Sequence, residues 1–340
     1  MRCTAVTDKK RVIITMQQGE MFDCIFAPDI MDDLKQHADV ALNDLGRHLT
    51  TEELADRAHD VDAIITSWGA PRIDTRVIEA ASKLRIISHA AGSVKHFIMP
   101  EVWDAGIVVT SAAYANGVYV GEFTLCLALA MLRTLPRYSL GAPADQWKAV
   151  PCVDNETLIG KTVGLIGLGQ TARSFLRFLA PFNCNVIAFD PYVSLDVATQ
   201  LGVRLVPLEE VLSTSKVVSV HAPVTEETKN MLNAENLGLI QDGAIFINTA
   251  RGALIDHDAL AKELSTGRFK AALDVTMPEP LPVDHPLRSF PNVLITPHIA
   301  GPTFDGRRDF FRSVVDDLKL FWAGREPSNV VKKEMLATMA

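Results

Sequence analysis
An α/β fold of two doubly wound parallel-sheet domains is predicted by three observations on the sequence. First, short apolar runs with strand character alternate with polar or helical spacers along almost the whole chain. Second, residues 161–190 read strand, glycine turn, helix, strand. Third, the alternation before residue 112 contains no glycine fingerprint, so it forms a separate domain from the one that does.

The central unit is the most specific. Val163 to Ile166 leads into Gly167-Leu168-Gly169-Gln170-Thr171-Ala172; Ala172, Phe175, Leu176, Leu179 and Ala180 then recur at helical spacing, and Val186 to Phe189 ends on Asp190. Gly167 lets the chain turn sharply, and Gly169 lets a pyrophosphate approach the backbone at the positive end of a helix. Asp190 follows at about 20 residues, where a carboxylate accepts the hydroxyls of an adenosine ribose. Ala172 in the third glycine position still allows helix–strand packing. The unit therefore reads as a Rossmann dinucleotide site.

Before it, strands are expected at Val12–Thr15, Ala63–Thr66, Leu84–Ser88 and Ile107–Thr110, and helices at Asp29–His37 and Thr50–Arg57, the latter opened by a capping box. Residues 112–117, AAYANG, read as a hinge before an apolar helix over Val118–Arg133. That helix is too apolar for a wet surface and is expected against a neighbouring domain or subunit. Its most apolar part, Phe123 to Leu132, is too short to span a bilayer. A proline-containing loop, Leu140–Pro151, precedes the glycine unit, and further strands are expected at Val217–His221, Ala244–Asn248, Ala271–Val275 and Val293–Thr296. The last helix, Arg308–Trp322, has no sheet of its own and should pack back on the first domain.

Composition narrows the partners. The 340 residues are 48% hydrophobic and 22% charged, with a formal net charge of −8, which argues against nucleic acid or an anionic membrane. The five scattered cysteines (Cys3, Cys24, Cys126, Cys152, Cys184) include no CxxC and read as reduced thiols of a cytoplasmic protein. The N-terminus carries no apolar run of signal-peptide length, and the Asn155-Glu156-Thr157 sequon is idle in that compartment. No cluster has metal-ligand spacing, so no metal is expected.

Three strand-end loops could carry chemistry. Asn248-Thr249-Ala250-Arg251-Gly252 sets one cation among small residues, able to grip a carboxylate or carbonyl oxygen. Glu279 stands between Pro278 and Pro280, which stiffen its loop. His298 ends a strand before the return to the first domain and would face the cleft between the domains. Each alone is equally compatible with a structural role. Together they suit ketone–alcohol chemistry, in which negative charge develops on oxygen and a histidine gives or takes the proton.

These motifs resemble those of the D-isomer-specific 2-hydroxyacid dehydrogenases, which include glyoxylate/hydroxypyruvate reductases and phosphoglycerate dehydrogenases. The resemblance runs from about Ile86 to Val331 and rests on GLIGLG at 164–169, HAPVTEET at 221–228, INTARGALID at 247–256, ALDVTMPEPLP at 272–282 and ITPHIAG at 295–301. It implies a Rossmann NAD-binding domain (114–299) inserted in a flavodoxin-like substrate domain (1–113 and 300–340), with no regulatory domain. It also implies Arg251, Glu279 and His298 as the catalytic set, His298 being the acid/base and Glu279 its partner. NAD contacts are implied at Gly167, Gly169, Gln170, Thr171, Asp190, Pro223, Thr249, Ala250 and Asp274. The substrate carboxylate would be received by backbone N–H groups of Ala91 and Gly92, beside Arg251, and the apolar helix would pack across a homodimer.

The turn continues Val94-Lys95-His96 where the family often has an acid and an Asn, so Lys95, His96 and His89 would either add positive charge near the substrate or form a solvated basic edge. Trp68-Gly69 would either shape the pocket or simply pack. His37, His48 and His59 read as surface residues, and His221 as an anchor for a backbone group. Asp190 repels a 2′-phosphate and residues 191–203 hold no Lys or Arg, so NADH is favoured over NADPH. The expected activity is interconversion of a small 2-hydroxy acid and its 2-keto acid; the competing reading is an NAD-sensing corepressor-like protein with little turnover.

Overall fold
A computed structural model describes residues 9–138, 155–337 and 339. Leu140–Pro151, Cys3, Cys152 and the first eight residues lie outside the described residues. The backbone divides into two compact units, one running through Asn116 and resuming at Pro302–Met339, the other Gly117–Gly301.

The first unit holds five parallel strands: β1 (Lys10–Gln17), β2 (Ala38–Asn43), β3 (Ala63–Thr66), β4 (Ile86–His89) and β5 (Val108–Ser111), in the order β2-β1-β3-β4-β5. This is the flavodoxin-like order. Both faces are covered, so β1 is buried on both sides: Val12, Ile14 and Met16 join one core, and Ile13 the other with Ile64, Ile87 and Val109. The helix Arg308–Trp322 forms where its periodicity predicts and closes the first of these cores with Phe310, Phe311, Val314, Val315 and Leu318. The predicted capping box is present, the Thr50 hydroxyl accepting from the Glu53 N–H at 3.2 Å.

The second unit holds β6 (Thr162–Ile166), β7 (Asn185–Phe189), β8 (Arg204–Leu205), β9 (Val217–Val220), β10 (Ile245–Asn248), β11 (Lys270–Leu273) and β12 (Val293–Ile295). Their order is β12-β11-β10-β9-β6-β7-β8, all parallel, so the strand order reverses between β6 and β9. Open α/β sheets take ligands at the C-terminal ends of the strands flanking such a point.

Three expectations need correction. The segment 38–43 and the dipeptide 204–205 are strands that the pattern did not show: β2 is a half-exposed edge that starts directly after a helix ending at His37, and β8 has two residues. Residues 113–117, expected as a hinge before the helix, form the first turn of a 20-residue helix, Ala113–Leu132, and the division between the two units falls within them, at Asn116/Gly117. That helix is also longer than the apolar core suggested, and by length and composition it could cross a bilayer. Here one face lies on the helix Gln170–Leu179, and a Cβ at Gly121 would stand 2.8 Å from the Phe175 nitrogen. Within the run, Gly117 approaches the same helix, where a Cβ would stand 3.4 Å from the Thr171 nitrogen. Finally, Ala180 is exposed at the end of its helix rather than part of the buried face.

Candidate active site
The glycine turn leaves β6 at the reversal point. Gly167 has φ 92°, and a Cβ there would meet the Ala222 nitrogen at 2.8 Å, so only glycine makes this turn beside the segment leaving β9. Gly169 caps the helix Gln170–Leu179 without a side-chain cap bond, and a Cβ there would meet nothing within 4 Å. The open side of Gly169, with Gln170 and Thr171 opening the helix, is a cradle for an anion at the N–H end. Asp190 follows β7; Oδ2 accepts from the Leu168 N–H at 2.7 Å, and Oδ1 from Tyr192 and Val193 at 2.9 and 3.1 Å. A carboxylate has about four acceptor sites, so one remains for a ribose hydroxyl. Pro223 lies in the loop after β9, its carbonyl accepting from the Thr228 hydroxyl at 2.6 Å. These residues fit NAD.

The Arg251 loop leaves β10. Buried Asn248, whose task the pattern did not show, holds it from both sides: Oδ1 accepts from the Ala250 N–H at 3.0 Å, and Nδ2 donates to the Arg251 carbonyl at 2.9 Å. The Thr249 hydroxyl pairs with Thr124 of the helix Ala113–Leu132 at 3.0 Å. Burial pushes the Arg251 guanidinium down from its ordinary value, while the Glu279 carboxylate pulls the other way. The two are thus electrostatic neighbours, and Arg251 stays charged at any ordinary pH. Gly252 presses the loop onto the next one: a Cβ there would lie 2.1 Å from the Thr276 carbonyl carbon and oxygen.

His298 and Glu279 meet. His298 Nδ1 donates to Glu279 Oε1 at 2.5 Å, since an ionised carboxylate can only accept, and this leaves Nε2 for a reacting group. His298 sits at φ 54°, a left-handed conformation that costs an ordinary residue on the order of 1 kcal/mol. The surroundings impose it. The Asp274 carbonyl accepts from the His298 N–H at 2.9 Å, and the Asp274 carboxylate accepts from Ile299 and Ala300 N–H groups at 2.9 Å and from the Thr296 hydroxyl at 2.6 Å. Asp274, expected as a cofactor contact, is buried with its oxygens turned into the chain; it anchors the histidine loop.

In the first unit, Ala91 and Gly92 form the turn after β4, and among the described residues neither N–H meets an acceptor. His89 does not add charge to that turn: the ring is buried, bonded through Nδ1 to Thr66 Oγ1 at 2.9 Å and packed on Phe97, and burial lowers its pKa to about 3. Lys95 is half-buried and His96 exposed. Trp68 is partly exposed and packs edge-on against Phe310. His37, His48 and His59 are exposed as expected. His221 bonds the Ser219 hydroxyl at 2.9 Å rather than a backbone group, and burial lowers its pKa to about 3 also. Among the described residues no group of three His, Cys, Asp or Glu is placed to hold a metal ion.

The two buried histidines make stability pH-dependent. Their folded pKa values lie below the unfolded value, so between about pH 6.5 and about pH 3 the unfolded chain binds protons that the folded chain refuses. Stability is full above that window and falls within it, by up to about 1.4 kcal/mol per pH unit for each residue. Urea unfolding at about pH 7 and about pH 5.5 should show the loss, and His89→Asn should reduce it. An equal loss in the variant would show that His89 takes up no proton on unfolding.

A family profile described as the D-isomer specific 2-hydroxyacid dehydrogenase NAD binding domain matches residues 125–300. The chain is 33% identical over 309 residues to a D-3-phosphoglycerate dehydrogenase of Methanocaldococcus jannaschii, covering 89% of this chain and 58% of that one. It is 34% identical over 290 residues to a glyoxylate reductase of Thermofilum pendens, covering 84% and 85%. It thus spans less than two thirds of the former relative and most of the latter. A solved phosphoglycerate oxidoreductase of Rhizobium etli superposes with a TM-score of 0.82 at 26% identity, covering 95% of this chain and 98% of that one. With the reversal-point glycine turn and the parallel sheets above, these matches show that the chain belongs to the D-isomer-specific 2-hydroxyacid dehydrogenase family and carries its NAD-binding domain.

Proposed function
We propose that this protein interconverts a small D-2-hydroxy acid and its 2-keto acid with NAD(H), and that His298 is the general acid/base. The observation that carries the reading is the 2.5 Å bond between His298 and Glu279, held on the same sheet edge as the glycine turn. In the direction of reduction, Arg251 polarises the keto oxygen in fork geometry. Bound NADH supplies the hydride that reduces the keto carbon. His298 Nε2 gives its proton to the oxygen, which becomes the hydroxyl, and the ring is left neutral. Glu279 stabilises the protonated ring beforehand and fixes which nitrogen faces the substrate. Oxidation runs the same proton back to Nε2.

The experiment is NADH consumption, followed by absorbance, against glyoxylate, hydroxypyruvate, pyruvate, phenylpyruvate and branched-chain keto acids. Turnover of at least one member is expected, and the ranking of side chains names the substrate class. NADH binding with silence across the panel would overturn the reading in favour of an NAD-sensing binding protein.

A further inference from the structure
The adenosine end of the site holds a second carboxylate. Tyr192 follows Asp190 at the end of β7, and its N–H is fixed to Asp190 Oδ1 at 2.9 Å. Its hydroxyl donates to Glu227 Oε2 at 3.1 Å, and Glu227 lies in the loop after β9. In the sheet, β6 runs between β7 and β9. The strands flanking β6 are about 10 Å apart, twice the ordinary strand spacing. A hydrogen bond from the loop after β7 to the loop after β9 therefore crosses over the end of β6, where the glycine turn receives the dinucleotide. The groups are within electrostatic reach of each other: the hydrogen bond to Glu227, then its charge, and to a lesser extent the Asp190 charge, hold the Tyr192 hydroxyl above its ordinary range.

Asp190 alone is a muted charge, because three backbone N–H groups already share it. Glu227 is exposed and its carboxylate has one hydrogen-bond partner among the described residues, the Tyr192 hydroxyl. Residues 191–203, which leave β7, contain no Lys or Arg, and Glu227 makes no ion pair among the described residues, although exposed Lys229 stands two residues on. We propose that Glu227, held in place by the Tyr192 hydroxyl, is a second carboxylate at the adenosine end and sets the preference for NADH over the 2′-phosphorylated NADPH together with Asp190. Tyr192 is a positioning residue in this arrangement, and Glu227 the group that faces the ribose. The inference rests on the NAD site described above, not on the identity of the keto acid.

The test is the dissociation constant of NADH and of NADPH, by nucleotide fluorescence, for the full chain and for Glu227→Gln and Tyr192→Phe. Wild type is expected to prefer NADH, and high salt should narrow that preference because the repulsion is Coulombic. Glu227→Gln should shrink the NADPH-to-NADH ratio of constants by about tenfold, the scale of one opposed charge pair at a few ångströms in water. Tyr192→Phe should shrink it by a smaller factor in the same direction, because the carboxylate remains but is no longer held. A ratio unchanged in Glu227→Gln, or both nucleotides weakened equally, overturns the proposal. A changed ratio in Glu227→Gln with none in Tyr192→Phe overturns the positioning role of the tyrosine. Failure of wild type to bind either nucleotide would instead strike at the NAD site itself.

Discussion
His298→Ala is expected to lower turnover by about a hundredfold to ten-thousandfold on whichever keto acid proves best, the range for loss of a general acid. The side chain is 49% exposed, so its removal opens no core cavity, and the melting temperature should stay within a degree or two. Affinity for NADH should change by less than about threefold, because the cradle at Gly169 and the Asp190 carboxylate are untouched. Glu279→Gln separates charge from shape. An amide can still accept from Nδ1, yet it carries no charge to set against the proton that the ring gives and takes, so turnover should fall by an intermediate factor. Initial rates with stopped-flow single turnovers measure both variants. Near-normal turnover in His298→Ala would remove the ring from the chemistry and leave Arg251 with the bound cofactor as the whole of the mechanism.

Some of this was legible in the sequence for physical reasons that are local. A buried parallel strand is a continuous apolar run, so β3 is read to the residue and most others to within two. The strand–glycine–helix–acid unit is a spacing within one segment, and it folds as its spacing requires. Arg251, Glu279 and His298 stand out because a charged or titratable residue at the end of an apolar strand, next to Gly or Pro, has few structural reasons to be there. What escaped depends on residues distant in sequence. The neutrality of His89 comes from its burial, and the register of β3 and β4 and the turn beyond bring Thr66 and Phe97 against the ring. The task of Asp274 depends on Thr296, Ile299 and Ala300, more than twenty residues later. Asn248 is written like any loop asparagine; only burial reveals that it clasps the arginine loop. The run at 113–117 shows the same limit from the other side, since its small residues read as a connecting turn and fold as the start of a helix.

The register between the arginine loop and the acid loop depends on a missing methyl group. Gly252→Ala would place Cβ 2.1 Å from the carbonyl carbon and oxygen of Thr276 and 2.7 Å from the Met277 nitrogen. All three are backbone atoms, so no flexible side chain can swing aside and one loop must move. Arg251 is the neighbour of the first loop's glycine, and Glu279 lies two residues beyond Met277, so the movement falls between the guanidinium and the carboxylate that orients His298. A displacement of about 1 Å between reacting groups costs about a hundredfold in rate, and that is the expected loss in kcat. Overpacking of this kind also costs about 1–3 kcal/mol of stability, read by urea unfolding. The two readouts separate the causes. A folded variant with collapsed kcat and ordinary NADH affinity ties the rate to the loop register. A folded variant with ordinary kcat would mean that Arg251 and Glu279 do not act as one constellation, and polarisation of the carbonyl by Arg251 would have to be abandoned.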